Sequence, residues 1–171
     1  MHTPAQRSLV DRMKGAATLD IATYEEVEAD TTATGQAAVV VAIVAVASAI
    51  SALRGGGASI IGGLIAAFVG WLVWSGVTYL IGAKVFGGTA TWGELLRTIG
   101  FAQSPGVLLV LAIIPILGWF VRFAVWIWLL VAGIIAIRQA LDFSTGKAIL
   151  TALLGWLCMM VLFVLFALPR F

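Results

Sequence analysis

The stretch Thr91–Pro115, TWGELLRTIGFAQSPGVLLVLAIIP, decides how the chain is organised. Thr91 and Glu94 have the spacing of a capping box, in which each side chain accepts a hydrogen bond from the other residue's main-chain N–H. Apolar residues recur at helical spacing over 92–99, and Gly100 is a typical helix stop. We therefore predict a short amphipathic helix on the membrane surface, followed by a glycine stop and re-entry into the membrane.

The composition is that of an integral membrane protein. The chain has 171 residues, of which 62% are hydrophobic and 11% charged, and its mean hydropathy is +1.11. Soluble domains contain about 25% charged residues. A soluble fold of this length could not bury so much apolar surface. The lipid bilayer is therefore the first expected partner.

Five apolar segments predict an all-α, polytopic membrane protein with five transmembrane helices, and we assign residues 36–171 to this domain. The run from Val107 to Ile137 would be about 46 Å long as one helix, well beyond the ~30 Å of hydrocarbon. It would also place Arg122 near mid-membrane. Two short spans that turn at Leu117–Arg122 avoid both problems. The predicted spans are 36–53, 58–83, 105–118, 122–138 and 148–168.

Residues 1–35 form a polar arm with two short helical signals. Thr3-Pro4 can start a weakly amphipathic helix on the membrane face, and Thr23 with Glu26 resembles a second capping box. The arm then carries an acidic segment with two interpretations. It is either a solvated acidic helix start or a surface that docks a protein partner or collects cations. Its candidate partner-binding residues are Tyr24, Glu25, Glu26, Glu28 and Asp30.

The distribution of basic residues predicts the orientation. With five spans, seven of the ten Lys and Arg residues lie on the side of the N-terminus and three on the other side. Cytoplasmic loops carry the excess of Lys and Arg. We therefore expect a cytoplasmic N-terminus, an external C-terminus and amphipathic surface helices on the cytoplasmic side.

Residue patterns for catalysis, metal binding or nucleotide binding are missing from the sequence. The only histidine is His2, the only cysteine is Cys158, and no metalloprotease, nucleophile-elbow or glycine-rich phosphate motif occurs. The basic residues are scattered, whereas a nucleic-acid surface needs a basic patch. We therefore expect no enzyme activity, no catalytic residue, no cofactor, no metal and no nucleic-acid partner.

A channel or carrier is the alternative function. Pro105, Pro115 and Gly118 mark a broken or short helix, and discontinuous helices often line transport sites. Arg122 and Arg138 are then the candidate pathway residues, because they could attract an anion. The competing interpretation is that both arginines extend to the membrane interface and that the proline marks a kink in a packed bundle.

A family resemblance rests on the opening stretch. Gly100, Phe101 and Pro105, followed by an apolar run that contains Pro115, are similar to the G-Y-x-x-x-P segment of the Yip (Ypt-interacting protein) domain family, with phenylalanine in place of tyrosine. The five-span layout and the tryptophan-bearing fourth span are also similar. The resemblance implies a multi-spanning protein without catalytic activity. In eukaryotes the family is tied to Rab-type GTPases, vesicle trafficking and membrane shaping.

One departure concerns the arm, which reads DIATYEEVEAD and lacks the D-L-Y-G-P type motif of some eukaryotic members. The short arm and the Ala/Gly/Val-rich composition resemble a prokaryotic member, which would place the protein in the cell (inner) membrane. We expect a membrane scaffold or adaptor that organises membrane or recruits an unidentified protein partner on its cytoplasmic face. For the alternative, a small channel or carrier, we expect a homo-oligomer.

Overall fold

The structure, a computed structural model, describes residues 7–52 and 60–167, and every regular element in these ranges is helical. A π-helical segment, Leu80–Val85, extends α4, and a 3₁₀ segment, Ser104–Ile113, follows α5. The all-α prediction is confirmed. The helices are α1 (Leu9–Ala17), α2 (Ile21–Ala29), α3 (Ala33–Ala52), α4 (Ile60–Tyr79), α5 (Trp92–Ala102), α6 (Leu117–Ala140) and α7 (Thr145–Ala167).

Five helical segments are long and apolar enough to cross a membrane, as the sequence predicted. Hydrocarbon about 30 Å thick needs about 20 apolar residues in a helix, and each segment has between 18 and 26 residues. They are Ala33–Ala52, Ile60–Val85, Trp92–Ile113, Leu117–Ala140 and Thr145–Leu162.

The third span, Trp92–Ile113, is the centre of the bundle. In an 18-residue stretch of this span 61% is buried, whereas in the corresponding stretches of the other four spans the buried share is 17 to 44%. Its α5 half packs against α2, α3, α4 and α6, and its 3₁₀ half packs against α3 and α6. The first, second and fourth spans therefore surround it, and the fifth packs against the second and fourth.

Two ends of the bundle are distinguished by their turns. At the arm end, the hydroxyl of Thr89 in the α4–α5 connection donates to the Asp142 carboxylate in the α6–α7 turn at 2.7 Å. At the hairpin end, α6 follows the 3₁₀ segment after a tight turn at Ile114–Ile116. There a guanidinium nitrogen of Arg122 donates to the carbonyl oxygen of Ser51, near the end of α3, at 3.3 Å.

The turn between the third and fourth spans lies earlier than predicted. Residues 117–122 are helical, so Arg122 lies in the second turn of α6 and not in a loop. Pro115 cannot donate a main-chain hydrogen bond, and Ile116 has a positive φ of 64°, so the reversal is complete before Leu117. The spans predicted at 105–118 and 122–138 are therefore Trp92–Ile113 and Leu117–Ala140.

The surface helix predicted after Thr91 is instead the first half of the central span. Its capping box is confirmed: the Thr91 N–H donates to Glu94 Oε2 at 2.8 Å, and the Glu94 N–H to Thr91 Oγ1 at 3.3 Å. Gly100 does not end the helix, which continues to Ala102. A Cβ on Gly100 would lie 2.8 Å from the Cβ of Ala37, so its role is close contact with α3. The prediction failed because the polar side of the helix is covered by the arm.

Some predicted features lie outside the described residues. These are the helix start at Thr3-Pro4, the turn at Arg54–Gly57 and the end of the fifth span at Leu168. Within the described ranges α3 begins at Ala33 and α7 at Thr145, a few residues before the predicted spans.

Candidate functional site: the docked N-terminal arm

The arm folds into two short antiparallel helices, α1 and α2, that pack on the bundle. Ser8 caps α1 by accepting a hydrogen bond from the Asp11 N–H at 3.2 Å. Gly15 allows α2 to approach, because a Cβ there would overlap the Thr23 side chain. The Tyr24 hydroxyl, fully buried, donates to the carbonyl oxygen of Ala16 at 3.0 Å. The two helices therefore form one packed unit.

Arg12 joins the arm to the start of the first span. Its side chain is 1% exposed. Its Nε donates to Glu26 Oε1 at 3.0 Å, one terminal nitrogen to Asp30 Oδ2 at 2.7 Å, and the other to Gln36 Oε1 at 2.9 Å. A buried guanidinium is tolerated when its charge is paired and its donors are used. Arg12 therefore fixes α1, the end of α2 and the first turn of α3 together.

Arg97 holds the arm from inside the bundle. It lies in the second turn of α5 and is 5% exposed. Its Nε lies 2.9 Å from the carbonyl oxygen of Val27 and 3.1 Å from that of Glu28, and a terminal nitrogen also donates to the Glu28 carbonyl. The last carbonyls of a helix lack partners within the helix and carry partial negative charge. Arg97 therefore satisfies the C-terminal end of α2.

The arm extends along the C-terminal half of α6. At one end, Gln139 Nε2 donates to Glu25 Oε1 at 3.2 Å. At the other, the indole N–H of Trp128 donates to the carbonyl oxygen of Ala17 at 2.7 Å. Trp128 lies 12 residues before Ala140, which is about 18 Å along a helix. The exposed polar surface of the arm thus covers about half the length of α6.

Four carboxylates form an acidic face at the arm end: Glu25, Glu28, Glu94 and Asp142. Partial burial, the largest cause, and the negative charges of Glu94 and Asp142 together raise the pKa of Glu28 from 4.5 to about 7. Arg97 acts in the opposite direction, and Glu25 adds a smaller repulsion. Because Arg97 donates to main-chain carbonyls, its charge only partly compensates these carboxylates.

The structure separates the candidate partner-binding residues into two groups. Tyr24 is buried, and Glu26 and Asp30 are used by Arg12. Glu25 is exposed and Glu28 half-buried, so these two remain available at the surface. A partner-binding role for the segment stays a prediction, and its accessible part is Glu25 and Glu28.

The predicted capping box at Thr23 and Glu26 is wrong. Helix α2 begins at Ile21, after Asp20. Thr23 donates to Asp20 Oδ2 at 2.6 Å, and Glu26 pairs with arginines of the preceding segment. Sequence reasoning assigned the polar residues of both arm helices to solvent. The signal it missed is that basic residues of one short helix faced acidic residues of the next.

The two candidate pathway residues do not meet. Arg122 is exposed at the hairpin end, whereas Arg138 lies at the arm end, where its Nε donates to Gln139 Oε1 at 2.9 Å. Sixteen residues of α6 separate them, which corresponds to about 24 Å. They therefore do not form a common anion site within one chain.

The candidate motif residues lie at packing and turn positions. Gly100, Phe101 and Pro105 are buried where α5 passes into the 3₁₀ segment, and Pro105 lies in the first turn of that segment. Pro115 is exposed in the hairpin turn. Among the described residues, no group of three or more acidic, histidine or cysteine side chains could hold a metal ion.

Comparison with known proteins gives one family. A family model described as the Yip1 domain matches residues 21–166, from the start of α2 to the last turn of α7. No curated protein and no solved structure matches the chain. The match covers the acidic end of the arm and all five spans.

Proposed function

The chain belongs to the Yip1 domain family, and on this basis we propose that it is a non-enzymatic scaffold or adaptor that recruits a protein partner to its acidic face. It is an integral membrane protein with five apolar helices. The proposed partner carries basic side chains, because it must complement Glu25, Glu28, Glu94 and Asp142. Recruitment through this face would serve membrane organisation or a trafficking-like process.

One observation carries this proposal: the acidic face is displayed on helices that are already fixed. Arg12 holds α1, α2 and α3 together, and Arg97 ties the end of α2 to the central span. A preorganised surface loses less conformational entropy when a partner binds. All eight acidic residues of the chain lie in the arm, the first turn of α5 or the α6–α7 turn. The acidic side chains thus belong to the arm and to two connections on the same side of the chain, together with seven of the ten Lys and Arg residues.

The proposal includes an orientation. The arm end faces the cytoplasm, because seven of the ten Lys and Arg residues belong to this side of the chain. Helices α1 and α2 are then the cytoplasmic surface helices, and the C-terminus lies outside. For a prokaryotic member this membrane would be the cell (inner) membrane.

The channel alternative lacks a comparable observation. Arg122 and Arg138 lie at opposite ends of α6, and each donates to a neighbouring oxygen, the Ser51 carbonyl and the Gln139 amide respectively. An oligomeric pore lined by these residues would have to use two separate rings of charge. Purified protein in liposomes is expected to show no ion or solute flux; measurable flux would favour the channel over the scaffold.

Cross-linking and capture from native membranes test the scaffold directly. The intact chain is compared with a Glu25→Gln/Glu28→Gln variant, which removes the two accessible acids of the arm and leaves Arg12 paired. Asp11→Asn is the matched control, because Asp11 is an exposed acid of α1 outside this face. We expect a partner that the intact chain and the control capture and the double variant loses. The same partners with all three chains would contradict the proposal.

A further inference from the structure

The turn between α1 and α2, residues 18–20, is the tip of the arm, and it reaches the middle of the bundle. The Trp128 indole donates to the carbonyl oxygen of Ala17 at 2.7 Å, and Trp128 lies halfway along α6. Helix α1 also packs against the 3₁₀ segment, which is the second half of the central span. Two separate contacts therefore place the tip of the arm at the middle depth of the fourth span.

The surface of the arm at this depth is polar. Thr18 and Asp20 are exposed, and so is Lys14 in the last turn of α1. Arg7 pairs with Asp20 at 3.4 Å, yet the two side chains remain 43% and 44% exposed. Charged side chains that contact hydrocarbon are unfavourable. Water or lipid headgroups must therefore reach the tip of the arm.

The α7 side of the bundle is apolar over the same depth. Trp128 lies 12 residues before the end of α6 at Ala140, and Cys158 lies 13 residues after the start of α7 at Thr145. Both residues are therefore about 18–20 Å from the α6–α7 turn. Between this turn and Cys158, the exposed large side chains of α7 are apolar: Ile149, Leu150, Leu153, Leu154, Trp156 and Leu157.

The apolar surface that faces lipid therefore has two heights. On the arm side it extends from Leu117 to Trp128, which is about 16 Å of helix. On the α7 side it extends from Ile149 to Leu165, about 24 Å, which is closer to the ~30 Å of hydrocarbon. A tilt or a shift of the protein moves both membrane boundaries together, so neither can make the two heights equal. The bilayer itself must differ between the two sides.

We propose that the leaflet on the arm side is locally thin, so that phospholipid headgroups contact the tip of the arm at the level of Trp128. Arg7 and Lys14 offer positive charge to a lipid phosphate, and Asp20 offers negative charge to the ammonium group of a zwitterionic headgroup. Bilayers thin locally at a modest free-energy cost for each ångström of mismatch. This lipid contact is independent of partner recruitment at the acidic face, because it uses other residues of the arm.

Depth-dependent fluorescence quenching in phosphatidylcholine vesicles tests the proposal. A bimane label is attached to the native Cys158, which is exposed, or to Thr18→Cys in a Cys158→Ser background. These two positions lie at the same level of the bundle. The quencher lipids carry a nitroxide either on the headgroup or near the middle of the acyl chain. We expect the headgroup quencher to be the stronger one for Thr18→Cys and the chain quencher to be the stronger one for Cys158.

A second variant shows whether the arm is docked during this measurement. Tryptophan quenches bimane only at short range, so Trp128→Phe should brighten the label at Thr18→Cys and leave the label at Cys158 unchanged. Without this brightening, the arm does not lie against α6, and the proposal is overturned.

Two further results would also overturn the proposal. A stronger effect of the chain quencher at both labels would place the tip of the arm in hydrocarbon of normal thickness. Quenching of the Thr18→Cys label by neither lipid would mean that protein or a water-filled space covers the tip. Because the Thr18 hydroxyl donates to the carbonyls of Lys14 and Gly15, Ile21→Cys, at a 43% exposed position, repeats the measurement if Thr18→Cys lowers the Tm.

Discussion

The guanidinium of Arg97 donates to the main-chain carbonyl of Glu28, a residue 69 positions earlier in the chain. A charged side chain at the centre of a membrane bundle is normally unfavourable. Here the charge meets the C-terminal carbonyls of α2, which lack partners within their own helix. The contact gives the guanidinium polar partners inside the bundle and gives these carbonyls a donor. It also attaches the arm to the bundle.

We predict that Arg97→Met loosens the arm. Two main-chain carbonyls lose a charged donor, which should weaken docking by about 3 kcal/mol. Arg97→Lys should give an intermediate effect, because an ammonium cannot reproduce the planar donor arrangement of a guanidinium. Hydrogen–deuterium exchange in nanodiscs is the measurement, and α2 amides should exchange about 100-fold faster in Arg97→Met. Unchanged exchange in α2 would contradict this role.

A second prediction concerns Arg12, which is buried, and Arg7, whose side chain is 43% exposed. Arg12→Met leaves Glu26 and Asp30 without their buried counter-charge, which should cost about 3 kcal/mol. Arg7→Met, the matched control, should cost less than about 1 kcal/mol because its pairs are exposed. Tryptic cleavage after Lys14, which both variants retain, should accelerate strongly only in Arg12→Met.

Neutralising both acids provides the complementary test. The triple change Arg12→Met, Glu26→Gln and Asp30→Asn removes the unpaired charges and should recover part of the lost protection. If the triple variant is cleaved faster than Arg12→Met alone, the carboxylates stabilise the arm by contacts other than this pairing.

The third prediction is a pH dependence. The pKa of Glu28 is raised from 4.5 to about 7 in the folded protein. Between these values the folded state binds more protons than the unfolded state, so this residue's contribution to stability is greatest below pH 4.5 and falls as pH rises towards 7. Glu28→Gln removes this dependence. The difference in Tm, Glu28→Gln minus intact chain, should therefore grow from pH 5 to pH 8, and a constant difference would contradict it.

The fourth prediction compares two glycines of the membrane bundle. Gly100→Ala places a Cβ 2.8 Å from Ala37 and 3.3 Å from the Trp71 indole nitrogen, so the helices must separate, at a cost of about 1–3 kcal/mol. Gly133→Ala meets no atom within 4 Å and should stabilise the helix by up to about 1 kcal/mol. Thermal unfolding in detergent should show a lower Tm for Gly100→Ala and a higher Tm for Gly133→Ala. If Gly100→Ala also raises the Tm, helix propensity outweighs packing at this position.

The sequence predicted the all-α class and the five spans because long apolar segments have few alternatives in a membrane. The capping box at Thr91 was also predictable, since it depends only on residues three positions apart. The burial of the helix that follows Thr91 could not be predicted from the sequence. Arg97 and Thr98 look like a solvated side when α5 is considered alone, and only the position of the arm buries them.

The candidate site was predicted in part. Acidic residues of the arm were identified, but periodicity could not show that Glu26 and Asp30 face Arg12 while Glu25 stays exposed. Those assignments depend on the angle between α1 and α2, which Gly15 and Tyr24 determine through tertiary contacts. The turn at Ile114–Ile116 was displaced because a positive φ at isoleucine has no sequence signature.

The contacts of the arm also set an order of events during synthesis. The arm leaves the ribosome first, yet Arg97 follows Val27 by 70 positions and Trp128 follows Ala17 by 111 positions. At 5–20 residues per second, the delay before Trp128 is made is on the order of ten seconds. During that interval Arg12 can pair only with residues of the arm and the first span. The arm therefore cannot complete its contacts with the bundle until the fourth span has been made.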